Sequence, residues 1–172
     1  MKRKHVILLA VMLALVSPAI AAKAPNVLFL MSDDLNTALS GFGHPQCKTP
    51  ELDKLAERGM RFENMHCQYP VCGASRASLM SGLYPYTNGT LGNAGTLRGN
   101  MPDVLTMSQL FRKNGYRVGR VSKIYHMGIP GEIIAGTAIR DDPHSWDEVV
   151  NIKAPEQNAP GEKTNWSPKN KS

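Results

Sequence analysis

Residues 106–121 read TMSQLFRKNGYRVGRV, and this stretch decides the fold class. Thr106 and Gln109 have the spacing of a capping box, which predicts a helix beginning at this point. Asn114 and Gly115 are typical of a helix end. Tyr116 to Val121 then reads as a strand, so a helix and a strand follow each other directly.

A second strand is predicted closer to the N-terminus. Asn26 to Met31 is a continuous apolar run rather than an alternating one, which is typical of a strand buried on both faces of a parallel sheet. It is followed by Asp33 and Asp34.

The segments between these two stretches continue the alternation. Thr49 precedes Pro50 at the start of an apolar-striped helix that we expect to end at Gly59. Met60 to His66 reads as a strand, and Ser75 to Met80 as a helix that ends at Gly82. The pattern predicts an α/β fold with a mostly parallel central sheet between helices, and such sheets bind ligands where their strands end.

The first 22 residues have the pattern of a secretory signal peptide. Met1 to Lys4 is basic, Val6 to Val16 is apolar, and Ser17 to Ala22 supplies small residues for cleavage. A membrane anchor is the alternative, but this apolar run is shorter than the roughly 20 residues that span a bilayer. We therefore expect an exported protein, periplasmic or extracellular, without a stable membrane anchor. Removal of the leader lowers the formal charge from +6 to +3, which gives nucleic-acid binding no support.

The remaining chain has the composition of one globular domain, with 42% apolar and 20% charged residues in the 172. From Pro130 onward the alternation of helix and strand weakens. Residues 151–172 are rich in Pro, Asn and Lys, and we expect them to form a loop or a truncated tail.

Asp33 and Asp34 place two carboxylates at the end of the predicted buried strand. Two such charges repel each other unless a hard divalent cation or a basic group lies between them. Metal binding is therefore one hypothesis for this pair, and a simple turn before Leu35 is the other.

Cys72-Gly73-Ala74-Ser75-Arg76 combines a thiol, small residues and a fixed positive charge at the start of a predicted helix. A helix N-terminus and a nearby cation both favour an anion and both lower the pKa of a cysteine. A nucleophilic cysteine is one interpretation, and a buried structural cysteine is the other.

Residues 71–85 resemble the modification motif and following helix of the type I, formylglycine-dependent sulfatases, whose usual core is Cys or Ser, any residue, Pro, any residue, Arg. Cys72 and Arg76 match at the required spacing, whereas Ala74 replaces the proline. Residues 25–34 are similar to the opening strand and acidic pair of that family, and residues 49–59 to its first long helix.

Ser122-Lys123-Ile124-Tyr125-His126 resembles the lysine-histidine element of the family. Its two residues between Lys123 and His126 look more like the iduronate-2-sulfatase branch. The resemblance implies an alkaline phosphatase-like fold, with residues 23–150 as the N-terminal part of a catalytic domain. Because family members are far longer, we also expect this chain to be a fragment.

The resemblance implies hydrolysis of sulfate monoesters, with Cys72 oxidised to formylglycine by a formylglycine-generating or sulfatase-maturing enzyme. It implies that Arg76, Lys123 and His126 act with it, that Asp33, Asp34 and the modified Cys72 bind calcium, and that the substrate is a sulfated small molecule or glycan. Cys47 and Cys67 then either form a disulfide or remain two free thiols.

Two alternatives remain open for the function. One is an inactive remnant that folds poorly or only binds sulfated glycans through Arg76 and Lys123. The other is a phosphoester or phosphonate hydrolase of the same superfamily, which shares the acidic pair and uses the same nucleophile position.

Overall fold

The computed structural model describes residues 24–128 and 131–153. The chain divides into two compact units, residues 1–30 and 31–172. In the first unit, residues 24–30 contain no helix or strand. The second unit contains α1 (Pro50–Arg58), α2 (Cys72–Ser81), α3 (Pro85–Asn88), α4 (Leu97–Asn100), α5 (Met107–Lys113), β1 (Gly119–Val121), α6 (Gly131–Ala135), β2 (Glu148–Val150) and the 3₁₀ helices Ser40–Phe42 and Pro143–Ser145.

The predicted signal peptide, residues 1–22, lies outside the described residues, as does the predicted tail after residue 153. Residues 151–153 have no regular secondary structure. Among the helices of the described ranges, none has both the length and the hydropathy required to cross a bilayer.

The strands β1 and β2 form a two-stranded parallel sheet in which Gly119 pairs with Glu148 and Val121 with Val150. The predicted strand thus forms, but it begins at Gly119 rather than Tyr116. At Val118 the backbone N–H donates to the carboxylate of Asp147 at 2.8 Å instead of to a strand carbonyl, although the carbonyl of Val118 still accepts from the backbone N–H of Asp147 at 2.7 Å. The partner strand β2 was not predicted, because three residues carry too weak a pattern.

Helix α5 confirms the capping box. Oγ1 of Thr106 accepts from the backbone N–H of Gln109 at 3.3 Å, and Oε1 of Gln109 accepts from the backbone N–H of Thr106 at 3.0 Å. The helix ends before Asn114, and Gly115 follows with φ +82°. A positive φ of this size favours glycine, which explains the residue at this turn.

Helix α1 occupies Pro50–Arg58, as predicted, and Gly59 follows it. Thr49 does not cap it with its side chain. Its hydroxyl instead lies 2.7 Å from that of Ser40, and ties the preceding 3₁₀ helix to α1.

Two predicted strands are wrong. Residues 26–31 form no strand, and Leu28 in this run is 82% exposed. Residues 60–66 consist of bends and irregular backbone, with Phe62 and Met65 exposed. A strand needs a hydrogen-bonded neighbour, and the two strands of the described residues pair only with each other. The apolar composition of these two segments therefore predicted strands, but the described residues contain no strand that pairs with them.

The core lies between α2, α4 and the segment after β1. Its buried apolar members are Ala77, Met80, Leu97, Tyr125 and Trp146. The rings of Tyr125 and Trp146 meet edge to face, with centroids 6.1 Å apart. Because Tyr125 is anchored in this core, its neighbours in the segment 123–126 have a defined position beside the N-terminus of α2.

Candidate active site

Cys72 is the first residue of α2, three residues earlier than the sequence predicted for this helix. The helix extends back because the backbone N–H of Ser75 donates to the carbonyl of Val71 at 2.9 Å. Cys72 therefore lies at the positive end of the helix dipole, and Arg76 follows one turn later on the same face.

The thiol of Cys72 has two polar neighbours. Its Sγ lies 3.2 Å from Nδ1 of His126 and donates to Oδ1 of Asn93, also at 3.2 Å. The two predicted site residues Cys72 and His126 are thus in contact, although 54 positions separate them.

Asn93 was missed by the sequence analysis. Its Oδ1 also accepts from the backbone N–H of Gly73 at 2.8 Å, which satisfies one of the free amides at the start of α2. A Cβ on Gly73 would lie 2.8 Å from the same oxygen, so glycine permits this close approach. A single asparagine in a glycine-rich loop carries only a turn signal, and no local pattern could have revealed the contact.

Arg76 is 5% exposed and donates several hydrogen bonds. Its Nη1 donates to the backbone carbonyls of Lys123 at 3.1 Å and Ile124 at 2.8 Å. Its Nη2 donates to Oδ1 of Asp33 at 2.7 Å. A single guanidinium therefore joins α2 to the segment after β1 and to the acidic pair.

Asp33 lies between two cations. Its Oδ2 accepts from Nζ of Lys123 at 2.5 Å, while its Oδ1 faces Arg76. Partial burial raises the pKa of Asp33, but the hydrogen bonds from Lys123 and Arg76 outweigh burial and hold this pKa below its usual value. The carboxylate is therefore ionised at neutral pH. Its neighbour Asp34 adopts a positive φ of 52°.

The pKa of His126 is lowered by burial first and then by the positive charges of Lys123 and Arg140. The imidazole is therefore mainly neutral at pH 7. In this state one ring nitrogen can accept a proton and the other can donate one.

These side chains open onto one cleft of about 660 Å³. The sequence-predicted members of its lining are Asp33, Asp34, Cys72, Lys123 and His126, and the members that the sequence did not predict include Asn93 and Arg140. Arg76 is not part of this lining, but it is buried and holds Asp33, which does line the cleft, by a hydrogen bond. Carboxylates, cations, a thiol and an imidazole thus meet at one surface.

The acidic pair offers part of the oxygen shell that a calcium ion requires. Asp33 and Asp34 both line the cleft with carboxylates, which are hard donors suited to that ion. Within residues 24–128 and 131–153, no group of three or more His, Cys, Asp or Glu side chains is arranged to hold a metal. Since calcium takes about six to eight oxygens, the described donors fit part of such a shell.

All three cysteines are free thiols in the structure. Cys67 is exposed, and Cys47 and Cys72 are half-buried. Of the two alternatives for Cys47 and Cys67, the structure therefore has the pair of free thiols.

The helix-terminal thiol, the buried guanidinium and the acidic pair thus form one candidate site beside a parallel pair of strands and the surrounding helices. The Sulfatase family model matches residues 25–131, and the chain belongs to the sulfatase family. Membership implies an α/β fold of the alkaline phosphatase type, with which the parallel pair of strands and the surrounding helices agree.

Several curated proteins are similar to this chain. Bovine arylsulfatase A is 36% identical over 70% of this chain, and human iduronate 2-sulfatase is 32% identical over 72%. The N-acetylglucosamine-6-O-sulfatase of Bacteroides thetaiotaomicron is 34% identical over 76%. The aligned regions cover 24%, 22% and 24% of these relatives, so the chain spans about a quarter of their length.

Proposed function

We propose that this chain carries the nucleophile side of a sulfuric ester hydrolase, in which Cys72 is oxidised to formylglycine. The observation that carries the proposal is the 3.2 Å contact of Cys72 Sγ with His126 Nδ1, in the cleft where Lys123 and Arg76 share the carboxylate of Asp33. The sulfatases among its relatives support the reaction class.

Sulfate monoesters resist hydrolysis because negative oxygens shield the sulfur, so the reaction needs a strong nucleophile and positive charge where the oxygen charge develops. Hydrated formylglycine at residue 72 would supply two hydroxyls on one carbon, one as the nucleophile toward sulfur and the other for release of the sulfate afterwards. The Sγ of Cys72 marks the position of such a hydroxyl oxygen in this structure.

The other side chains have separate tasks in this proposal. Nδ1 of His126 lies at hydrogen-bond distance from Sγ of Cys72. As a neutral imidazole, His126 moves the proton of the attacking or leaving oxygen. Lys123 lines the cleft and neutralises sulfate oxygens. Arg76, which is buried, fixes the positions of Asp33 and of the carbonyls of Lys123 and Ile124 by hydrogen bonds.

Calcium is the metal that the family implies, and Asp33, Asp34 and modified Cys72 are the residues that would hold it. When bound, it would supply positive charge next to the sulfate and to the nucleophilic oxygen. The remaining oxygens would come from outside the described residues. We propose that these groups gather beside a mostly parallel sheet in an alkaline phosphatase-like sandwich.

The proposed partners follow from the same chemistry. A formylglycine-generating or sulfatase-maturing enzyme would recognise Cys72 to Arg76 and accept Ala74 in place of proline. The substrate is a sulfated small molecule or glycan, and the Lys123–His126 spacing favours the iduronate-2-sulfatase branch. Export to the periplasm or the cell exterior by the leader completes this proposal.

The test begins with protein isolated from its native host. After thiol alkylation, tryptic peptide Phe62–Arg76 contains both Cys67 and Cys72. We expect Cys67 to carry the alkyl group and Cys72 an aldehyde. Alkylation of both residues would contradict the modification and favour the inactive remnant.

Turnover separates the remaining alternatives. Aryl sulfate, phosphate and phosphonate esters are compared on the isolated protein, and we expect the sulfate ester to be preferred. Cys72→Ala should abolish turnover, whereas Cys67→Ala, which removes an exposed thiol from the same peptide, should leave it unchanged. Preferred phosphate or phosphonate turnover would favour the related hydrolases, and activity in Cys72→Ala would exclude this nucleophile.

A further inference from the structure

Arg140 contributes a positive charge to the cleft but belongs to none of the motifs that indicated the site. It follows α6 and lines the same surface as Cys72, Lys123 and His126. Its side chain is 33% exposed, so a ligand in the cleft can reach it.

A buried carboxylate holds Arg140 in place. Nη1 of Arg140 donates to Oε1 of Glu132 at 3.0 Å, and Oε2 of Glu132 accepts from the backbone N–H of Ile139 at 2.8 Å. Glu132 is 7% exposed. Because Glu132 is buried and its second oxygen is held by the backbone of Ile139, the ion pair pre-positions Arg140.

Gly128 allows this ion pair to pack against the segment that carries His126. A Cβ at Gly128 would lie 2.9 Å from Oε1 of Glu132 and 3.5 Å from Nη1 of Arg140. The guanidinium is therefore close to the imidazole side of the cleft, and its charge contributes to the lowered pKa of His126.

Arg140 differs from the other two cations in what neutralises it. Arg76 and Lys123 share the carboxylate of Asp33 at the cleft. Arg140 uses Nη1 for Glu132, and among the described residues no other side-chain hydrogen bond occupies the rest of its five N–H donors. A planar guanidinium with free donors is suited to a carboxylate or a sulfate.

We propose that Arg140 is a specificity-determining residue that binds a second anionic group of the substrate, beside the sulfate that is cleaved. The inference rests on the proposed function. It assigns the substrate to sulfate esters with another negative charge, either the carboxylate of a sulfated uronic acid or a second sulfate of a multiply sulfated sugar.

Two matched pairs of probes test the inference and distinguish these anions. The first pair is methyl glucuronoside 2-sulfate and its methyl ester, in which the carboxylate is capped. The second is N-sulfoglucosamine 6-sulfate and N-acetylglucosamine 6-sulfate. Binding is measured by calorimetry at low ionic strength, where an exposed charge is least screened. The chain carries Cys72→Ala, so that turnover does not consume the probe.

The comparison uses three further changes in this background. We expect the parent to bind the doubly charged member of one pair about 10-fold tighter, a size typical of a partly exposed charge-assisted contact. Arg140→Gln should lose this preference, and Arg140→Lys should keep part of it. Arg117→Gln, which removes a charge that pairs with Glu148 outside the cleft, should leave it unchanged.

Each outcome decides a different statement. An equal preference in the parent and in Arg140→Gln, or no binding of any probe, overturns the inference. If the native protein hydrolyses sulfate esters but the preference for the doubly charged probe does not depend on Arg140, the inference fails and the proposed reaction stands. If the preference depends on Arg140 but the native protein turns over no sulfate ester, the anion site stands and the proposed reaction fails.

Discussion

Arg76 and Asp33 form a 2.7 Å ion pair across 43 positions of sequence, with the guanidinium buried and the carboxylate at the edge of the cleft. The pair connects the helix that begins with Cys72 to the acidic residues proposed for metal binding. Because Nζ of Lys123 donates to the second carboxylate oxygen of Asp33, Asp33 also positions this lysine. Mutating Arg76 should therefore disturb several parts of the site together.

Arg76→Lys should lower the free energy of unfolding by about 2 kcal/mol, because a lysine cannot replace a planar donor that serves one carboxylate and two carbonyls. Denaturant titration measures the change. Arg117→Lys, at an exposed arginine, is the matched control and should shift it by less than about 0.5 kcal/mol. Equal stabilities for both variants would contradict the bridging role.

Asn93→Ala should expose the backbone N–H of Gly73, because Oδ1 of Asn93 is its hydrogen-bond acceptor at 2.8 Å. We expect hydrogen exchange at the Gly73 amide to become at least about 10-fold faster, since a lost partner removes local protection. The amide of Ser75, which donates to the carbonyl of Val71, is an internal control in the same helix. Unchanged exchange at Gly73 would argue against the contact.

Gly73→Ala should destabilise the start of α2. The new Cβ would overlap the carbonyl oxygen of Gly92 and lie 2.8 Å from Oδ1 of Asn93. Overpacking of this kind typically costs about 1–3 kcal/mol, measurable by denaturant titration. Gly131→Ala, where a Cβ meets open space at the start of α6, should cost far less, and a comparable loss there would show that the effect is not local.

Asp142 should make stability depend on pH at the acidic end. Burial raises the pKa of Asp142, but hydrogen bonds from Arg98 and Ser145 outweigh burial and hold that pKa below its ordinary value of 3.8. The unfolded chain then takes up the proton first as the pH falls. The contribution of Asp142 is therefore complete well above pH 3.8 and disappears as the pH falls through the lower pKa of the folded state.

The measurement compares Asp142→Asn with the parent by denaturant titration across this range. At pH 7 the variant should be less stable by about 1–3 kcal/mol, because it loses a charge-assisted bond to Arg98. The difference should shrink below pH 3.8. Asp103→Asn, at an exposed carboxylate, controls for the change in net charge. A difference that stays constant with pH would refute the assignment to Asp142.

Local sequence predicted α1, α5 and the end of α2, but it missed the short helices α3, α4 and α6, and two of its strands are wrong. The capping box at Thr106 and Gln109 and the stop at Gly82 depend on atoms within a turn or two of the chain, so the sequence contains all that they need. Residues 26–31 and 60–66 are apolar enough for strands. Whether they form one depends on partners that no local pattern specifies.

By itself, the sequence determined the spacing of Cys72 and Arg76, most of the helix that follows Cys72, and the membership in the sulfatase family. Only the tertiary structure decided that His126 and Asn93 contact Cys72, that Asp33 joins Arg76 to Lys123, and that Arg140 faces the same cleft. The physical reason is the distance along the sequence between the residues that make contact. Helix geometry sets neighbours three or four residues apart, whereas these contacts arise when segments far apart in sequence pack on one core.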